Sequence, residues 1–260
     1  MTQSNPRPDF VDEAATVFPD ITEEYSVLNA LSSQLLASRK TDGLERAVLF
    51  QCGIAWQHYH AILLLLSRAF GVQSLLLCRT LFELTVSTLY LLKERSLSQD
   101  FLDHGKLTLY QQAMAANQEA AALKLPEIDL APLRAECEKI RDRFKTKKGN
   151  GVLPWHRSKI SEMARAVGFD WLYKNFYPDA SDAAHSDATK TLSYSKRGWK
   201  QSLRRFHSEQ ECDRVSYMSF QLMGQLFFRA NEALEMGHDK EANAVMLLVL
   251  HRAKCAAMPN

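Results

Sequence analysis

VQSLLLCRTLFELTVSTLYLLKE, residues 72–94, is apolar around most of a helical circumference and contains neither glycine nor proline. Its length without a breaker predicts a helix, and an element apolar on nearly every side belongs at the centre of a helical protein. Only the pair Arg79 and Glu83 interrupts the run before Lys93. The segment before it, 47–67, has 21 residues without Asp, Glu, Lys or Arg, enough to span a bilayer. Gln51, Gln57, His58 and His60 lie in its middle, where each would need an intramembrane partner, and the mean hydropathy of the chain is −0.26. A buried core helix is therefore expected there, with no membrane span, paired with 72–94 as an antiparallel central hairpin.

Outward from this hairpin the same periodicity continues. Helices are expected over 22–39, 44–69, 72–94, 99–123 and 130–147, with Gly71 as the glycine that ends the second and Pro126 closing the fourth. Short helices follow over 159–167 and 170–177, a restart at Pro178 runs to about Ala188, and 208–236 and 240–257 complete the chain. No convincing strand, repeat or linker interrupts them. The expectation is an all-α fold, a single multi-helix bundle of about seven to nine helices over residues 20–260, preceded by a loose polar arm over 1–19.

Composition narrows the function classes. Hydrophobic residues make up 46% of 260, which excludes a disordered chain. Lys and Arg exceed Asp and Glu only by 32 to 30, so no global field draws the molecule to nucleic acid or anionic lipid; any attraction is local. The five cysteines are scattered without a C-x-x-C pair and read as reduced thiols in a cytoplasm, and no apolar leader opens the chain. The common nucleotide, metalloprotease and hydrolase signatures are missing, so no cofactor and no metal is expected. His58 and His60 point about 200° apart on a helix, which argues against one zinc ion between them, although one of the two could face Arg79 and Glu83.

Three constellations could carry chemistry. Arg79 and Glu83, at i and i+4, share one face of an apolar helix and form either a structural ion pair or part of a site. Tyr173, Tyr177, Ser181 and His185 repeat every four residues, so on one continuous helix they would make a polar stripe, satisfied within the core or lining a pocket. Lys190, Lys196, Arg197, Lys200, Arg204 and Arg205, with Tyr194 and Trp199 among them, form a basic stretch directly after that stripe. Cations interleaved with aromatics suit a nucleic-acid backbone and its bases, although a solvated surface has the same composition. A second run, Lys139 to Lys148, is diluted by Asp142 and reads as a solvated face.

The order Gly71-Val-Gln-Ser-Leu-Leu-Leu-Cys-Arg79-Thr-Leu-Phe-Glu83, followed by Tyr177-x-x-x-Ser181-x-x-x-His185, resembles a bacterial family catalogued as domain of unknown function 5677. More distantly, a glycine-started helix carrying a glutamate and then a helix ending in histidine resembles the HEPN superfamily of helical bundles. Many of those are metal-independent RNases of defence and toxin systems. That pattern places an Arg four to six residues before the His, where this chain has Asp179, Ala180 and Ser181. The cation would then come from Arg79 or the basic stretch. The resemblance implies a metal-independent endoribonuclease with RNA as substrate and a protein partner from the same defence or toxin system. His185 would be general acid and base, Arg79 would stabilise phosphorane-like charge, Glu83 would orient Arg79, and Tyr177 or Ser181 would position RNA. The competing expectation is a non-catalytic helical binding or sensor module with a structural polar cluster. The apolar stretches 218–228 and 245–250 fill the core or form a homodimer seam.

Overall fold

The computed structural model describes residues 8–37, 43–145, 154–156, 158–185 and 209–257. Among them are eleven α-helices and no strand, an all-α multi-helix fold. In chain order they are α1 (Asp9–Ala15), α2 (Ile21–Leu36), α3 (Gly43–Leu66), α4 (Gly71–Lys93), α5 (Ser98–Leu123), α6 (Ala131–Ile140), α7 (Ile160–Ala166), α8 (Asp170–Asn175), α9 (Tyr177–His185), α10 (Glu209–Ala233) and α11 (Asp239–Ala257). Short 3-10 turns, Arg95–Leu97 and Arg141–Phe144, precede α5 and follow α6.

The apolar segment 72–94 is the hub. Helix α4 packs against α3, α7, α9 and α10, burying Leu75, Cys78, Leu81, Phe82, Val86, Leu89 and Leu91. It is also long and apolar enough to cross a membrane by composition, yet 56% of its most apolar window is buried against its own neighbours. Helix α10 shares the centre. Phe220, Leu222, Met223, Leu226 and Phe227 are fully buried, so most of the apolar stretch 218–228 fills the core. Gly224 sits where a Cβ would come within 2.7 Å of Val249 Cγ2, which lets α11 lie close along α10.

The structure differs from the sequence expectation in three places. Residues 9–15, inside the stretch expected as an arm, form α1, because Val11, Ala14 and Phe18 recur at helical spacing and bury into the main core. Gly71 is not the glycine that ends α3; it opens α4. The left-handed residue after α3 is Ala69, with φ 56°, and Phe70 N–H donates to Leu65 C=O at 2.9 Å. Finally, α6 stops at Ile140 and gives way to a 3-10 turn instead of running on to Lys147.

Helices α5 and α6 lean on the rest mainly through the first turns of α5. They carry a small core of their own, Leu107, Cys137 and Phe144, sealed on one side by an ion network in which Arg143 meets Asp100 at 3.1 Å and also contacts the buried Asp103.

Candidate functional site

Helix α4 meets α9 at the pair foreseen on its one charged face. Arg79 and Glu83 stand one turn apart, and Arg79 Nε donates to Glu83 Oε1 at 3.1 Å. Tyr177, first residue of α9, closes the group: its hydroxyl donates to Glu83 Oε1 at 2.6 Å and accepts from Arg79 Nη2 at 3.3 Å. The Arg79 guanidinium also lies 5.2 Å from the centre of the Tyr177 ring. Three polar groups from two helices therefore satisfy one another in a triangle.

The electrostatics fix the proton positions. Burial pushes the Tyr177 phenol above its ordinary value, and its bond to Glu83 adds to this, so it remains a donor. Burial works against the Arg79 cation, but hydrogen bonds to Tyr177 and Glu83 outweigh it and hold the guanidinium above its usual range. The triangle is not sealed. The Arg79 side chain keeps 21% of its exposure and that of Glu83 40%.

Of the other expected site residues, Ser181 lies one turn beyond Tyr177 on α9 and is half-buried. His185 is the last residue of α9, two turns beyond Tyr177; its side chain lies outside the described residues. Lys190, Lys196, Arg197, Lys200, Arg204 and Arg205 lie outside them as well. The continuous stripe from Tyr173 to His185 is broken: α8 ends at Asn175 and α9 begins at Tyr177. Tyr173 still reaches its neighbour, because the two rings stack with centroids 5.0 Å apart.

Two features escaped the sequence reading. Arg214 of α10 grips α9 from the side, pairing with Asp179 at 2.7 Å and donating to the Asn175 carbonyl, which ends α8. No spacing links residues 35 apart in the chain, so only the fold reveals this clamp. The second is His60. It does not face Arg79 and Glu83, but meets the Tyr25 hydroxyl at 3.1 Å within a group of rings that includes Trp56 and Tyr59. Among the described residues no three His, Cys, Asp or Glu side chains are placed to hold a metal ion. Cys52, Cys78, Cys137 and Cys212 are buried and form no disulfide, and burial pushes the Cys52 thiol up to about 12, so it stays protonated.

A family model matches residues 46–198, more than half of the 260. The match takes in Arg79, Glu83, Tyr177, Ser181 and His185 and leaves out α1, α2, α10 and α11. No curated protein and no solved structure matches the chain. The chain thus belongs to the family of unknown function DUF5677.

Proposed function

We propose that the protein is a metal-independent endoribonuclease of the HEPN-like kind, acting at the junction of α4 and α9. One observation carries this: the Arg79–Glu83–Tyr177 triangle is fixed on two core helices yet open to solvent, as a phosphate-recognising group has to be. An ion pair this exposed adds little stability, so bracing the helices is a weak reason for its presence.

The chemistry that suits these groups is transfer of the RNA phosphodiester to its own 2′-hydroxyl. The 2′-oxygen attacks phosphorus, the bond to the 5′-oxygen breaks, and the products are a 2′,3′-cyclic phosphate and a 5′-hydroxyl. His185 accepts the 2′-hydroxyl proton and returns one to the departing 5′-oxygen. Arg79 faces the charge that grows on the non-bridging oxygens, held in direction by Glu83 and Tyr177. Ser181 bonds RNA beside them. The basic stretch from Lys190 to Arg205 follows α9 directly in the sequence and takes the flanking backbone by charge. A homodimer and a cytoplasmic setting within a defence system belong to the same proposal; Leu247 and Leu250, exposed on the outer face of α11, are where a second copy would pack.

The test is incubation of the protein with total RNA and tRNA in EDTA, beside a His185→Ala variant matched in melting temperature. New ends bearing 2′,3′-cyclic phosphate, absent with the variant, are the expected result. Intact RNA with both would leave the competing reading, a helical binding module in which the triangle only braces α9 against α4.

A further inference from the structure

Away from this junction, Glu24 is the most deeply buried carboxylic acid among the described residues. Glu24, on the first turn of α2, keeps 2% of its side-chain exposure. Arg252, near the end of α11, reaches it with Nε 2.7 Å from Oε1, but without the alignment of a hydrogen bond, and neither carboxylate oxygen has a hydrogen-bond partner among the described residues. The same guanidinium also contacts Asp20, just before α2. Beside Glu24 lies the hydroxyl of Tyr59, fully buried and likewise without a partner. The charged and titratable groups around Glu24 are Asp20, Glu23 and Tyr25 from its own segment, Tyr59 and His60 from α3, Arg252 from α11 and, near Arg252, Tyr217 of α10.

A carboxylate in this position has lost its water and gained one imperfect ion pair, a combination in which desolvation outweighs attraction. A carboxylic acid there is neutral and avoids that cost. We propose that the Glu24–Arg252 seam is a proton-controlled latch on the C-terminal helix: α11 stays docked while Glu24 carries its proton and loosens when the carboxyl ionises.

The sign follows from linkage. Burial, opposed by Arg252 and reinforced by Asp20, raises the Glu24 carboxyl from 4.5 to about 7 when α11 is docked. Undocking returns water to it and lowers it again, so the undocked form binds fewer protons between these values. Raising the pH through this window therefore favours undocking.

The experiment is hydrogen exchange on the whole chain at pH 5.5 and 8.0, with protection factors taken separately for α11 and α4. In the wild type, protection of 245–254 should fall about 30-fold from the lower to the higher pH, if the undocked carboxyl behaves as a free one, while α4 keeps its protection. Glu24→Gln should hold α11 protection level across the range. His60→Gln should leave the fall intact, since burial holds the His60 imidazole below its ordinary value and the latch does not use it. A level wild-type profile, an equal fall in Glu24→Gln, or an equal fall in α4 would overturn the latch. Should Glu24→Gln fail to fold, carbon-13 titration of the wild-type carboxyl decides: a midpoint near 7 supports it and one below 5 overturns it.

Discussion

Tyr177 holds two helices through one oxygen, since its hydroxyl is donor to Glu83 and acceptor from Arg79. Tyr177→Phe removes both bonds while the ring keeps its stack on Tyr173 and its place under Arg79, so urea unfolding should show a loss of about 1 kcal/mol. Glu83 is too exposed for its ion pair with Arg79 to add much more, which predicts a coupling of at most about 1 kcal/mol in a double-mutant cycle. Glu24 behaves differently because it is buried. Its folded value of about 7 lies above the ordinary 4.5, so the stability it confers is full below pH 4.5 and is lost as pH rises through 7, a swing of at most about 3 kcal/mol. Glu24→Gln should flatten that part of the stability profile, measured by thermal melts across pH 4.5 to 8. The Arg79–Glu83 pair was legible because an i, i+4 charge pair on an apolar helix has few other meanings. Glu24 was not: an acid in a first turn is the ordinary complement of the helix dipole, and its burial depends on α11, more than 200 residues later.

At the scale of elements, four helices end in the same way. Ala69 after α3, Lys124 after α5, Gly168 after α7 and Glu235 after α10 all take positive φ, and in each case the next residue's N–H reaches back five residues to a carbonyl. Only Gly168 does so without steric cost. Ala69→Gly should therefore raise stability by about 1 kcal/mol, read from the melting temperature. Where α10 meets α11 the opposite holds: Gly224→Ala forces a Cβ onto Val249 and Val245, both buried, and should cost about 1–3 kcal/mol, partly recovered by adding Val249→Ala. Most helices could be read to within a few residues because their apolar faces are long. Their ends were less legible, since a helix stop built on Ala69 carries no composition signal, and Gly71 next to it supplies a misleading one. The break between α8 and α9 was foreshadowed by Pro178, which sits in the first turn of α9 and has no N–H to continue a ladder.

Across the whole molecule, one hydrophobic core links α1 to α4 and α7 to α11, while α5 and α6 hold a minor core beyond it. Exposed Met114, Leu123, Leu125 and Ile128 mark the outer half of that hairpin. Its amides should exchange well before those of α3, α4 and α10. Helix α1 shows why the arm was misread: its apolar residues are few, and they gain meaning only against the surface that α2 and α3 present. At the junction of α4 and α9, complementary charges held by two core helices meet solvent, and the RNase proposal stands on it. The most direct measurement is the cleavage rate of RNA in EDTA for the wild type, Arg79→Ala, His185→Ala and the double variant, each checked for an unchanged fold. Groups acting as one unit lose together, so each single change should cost about 100-fold or more and the double variant little beyond that. RNA left intact by the wild type, or cut at the wild-type rate by either single variant, would contradict the account.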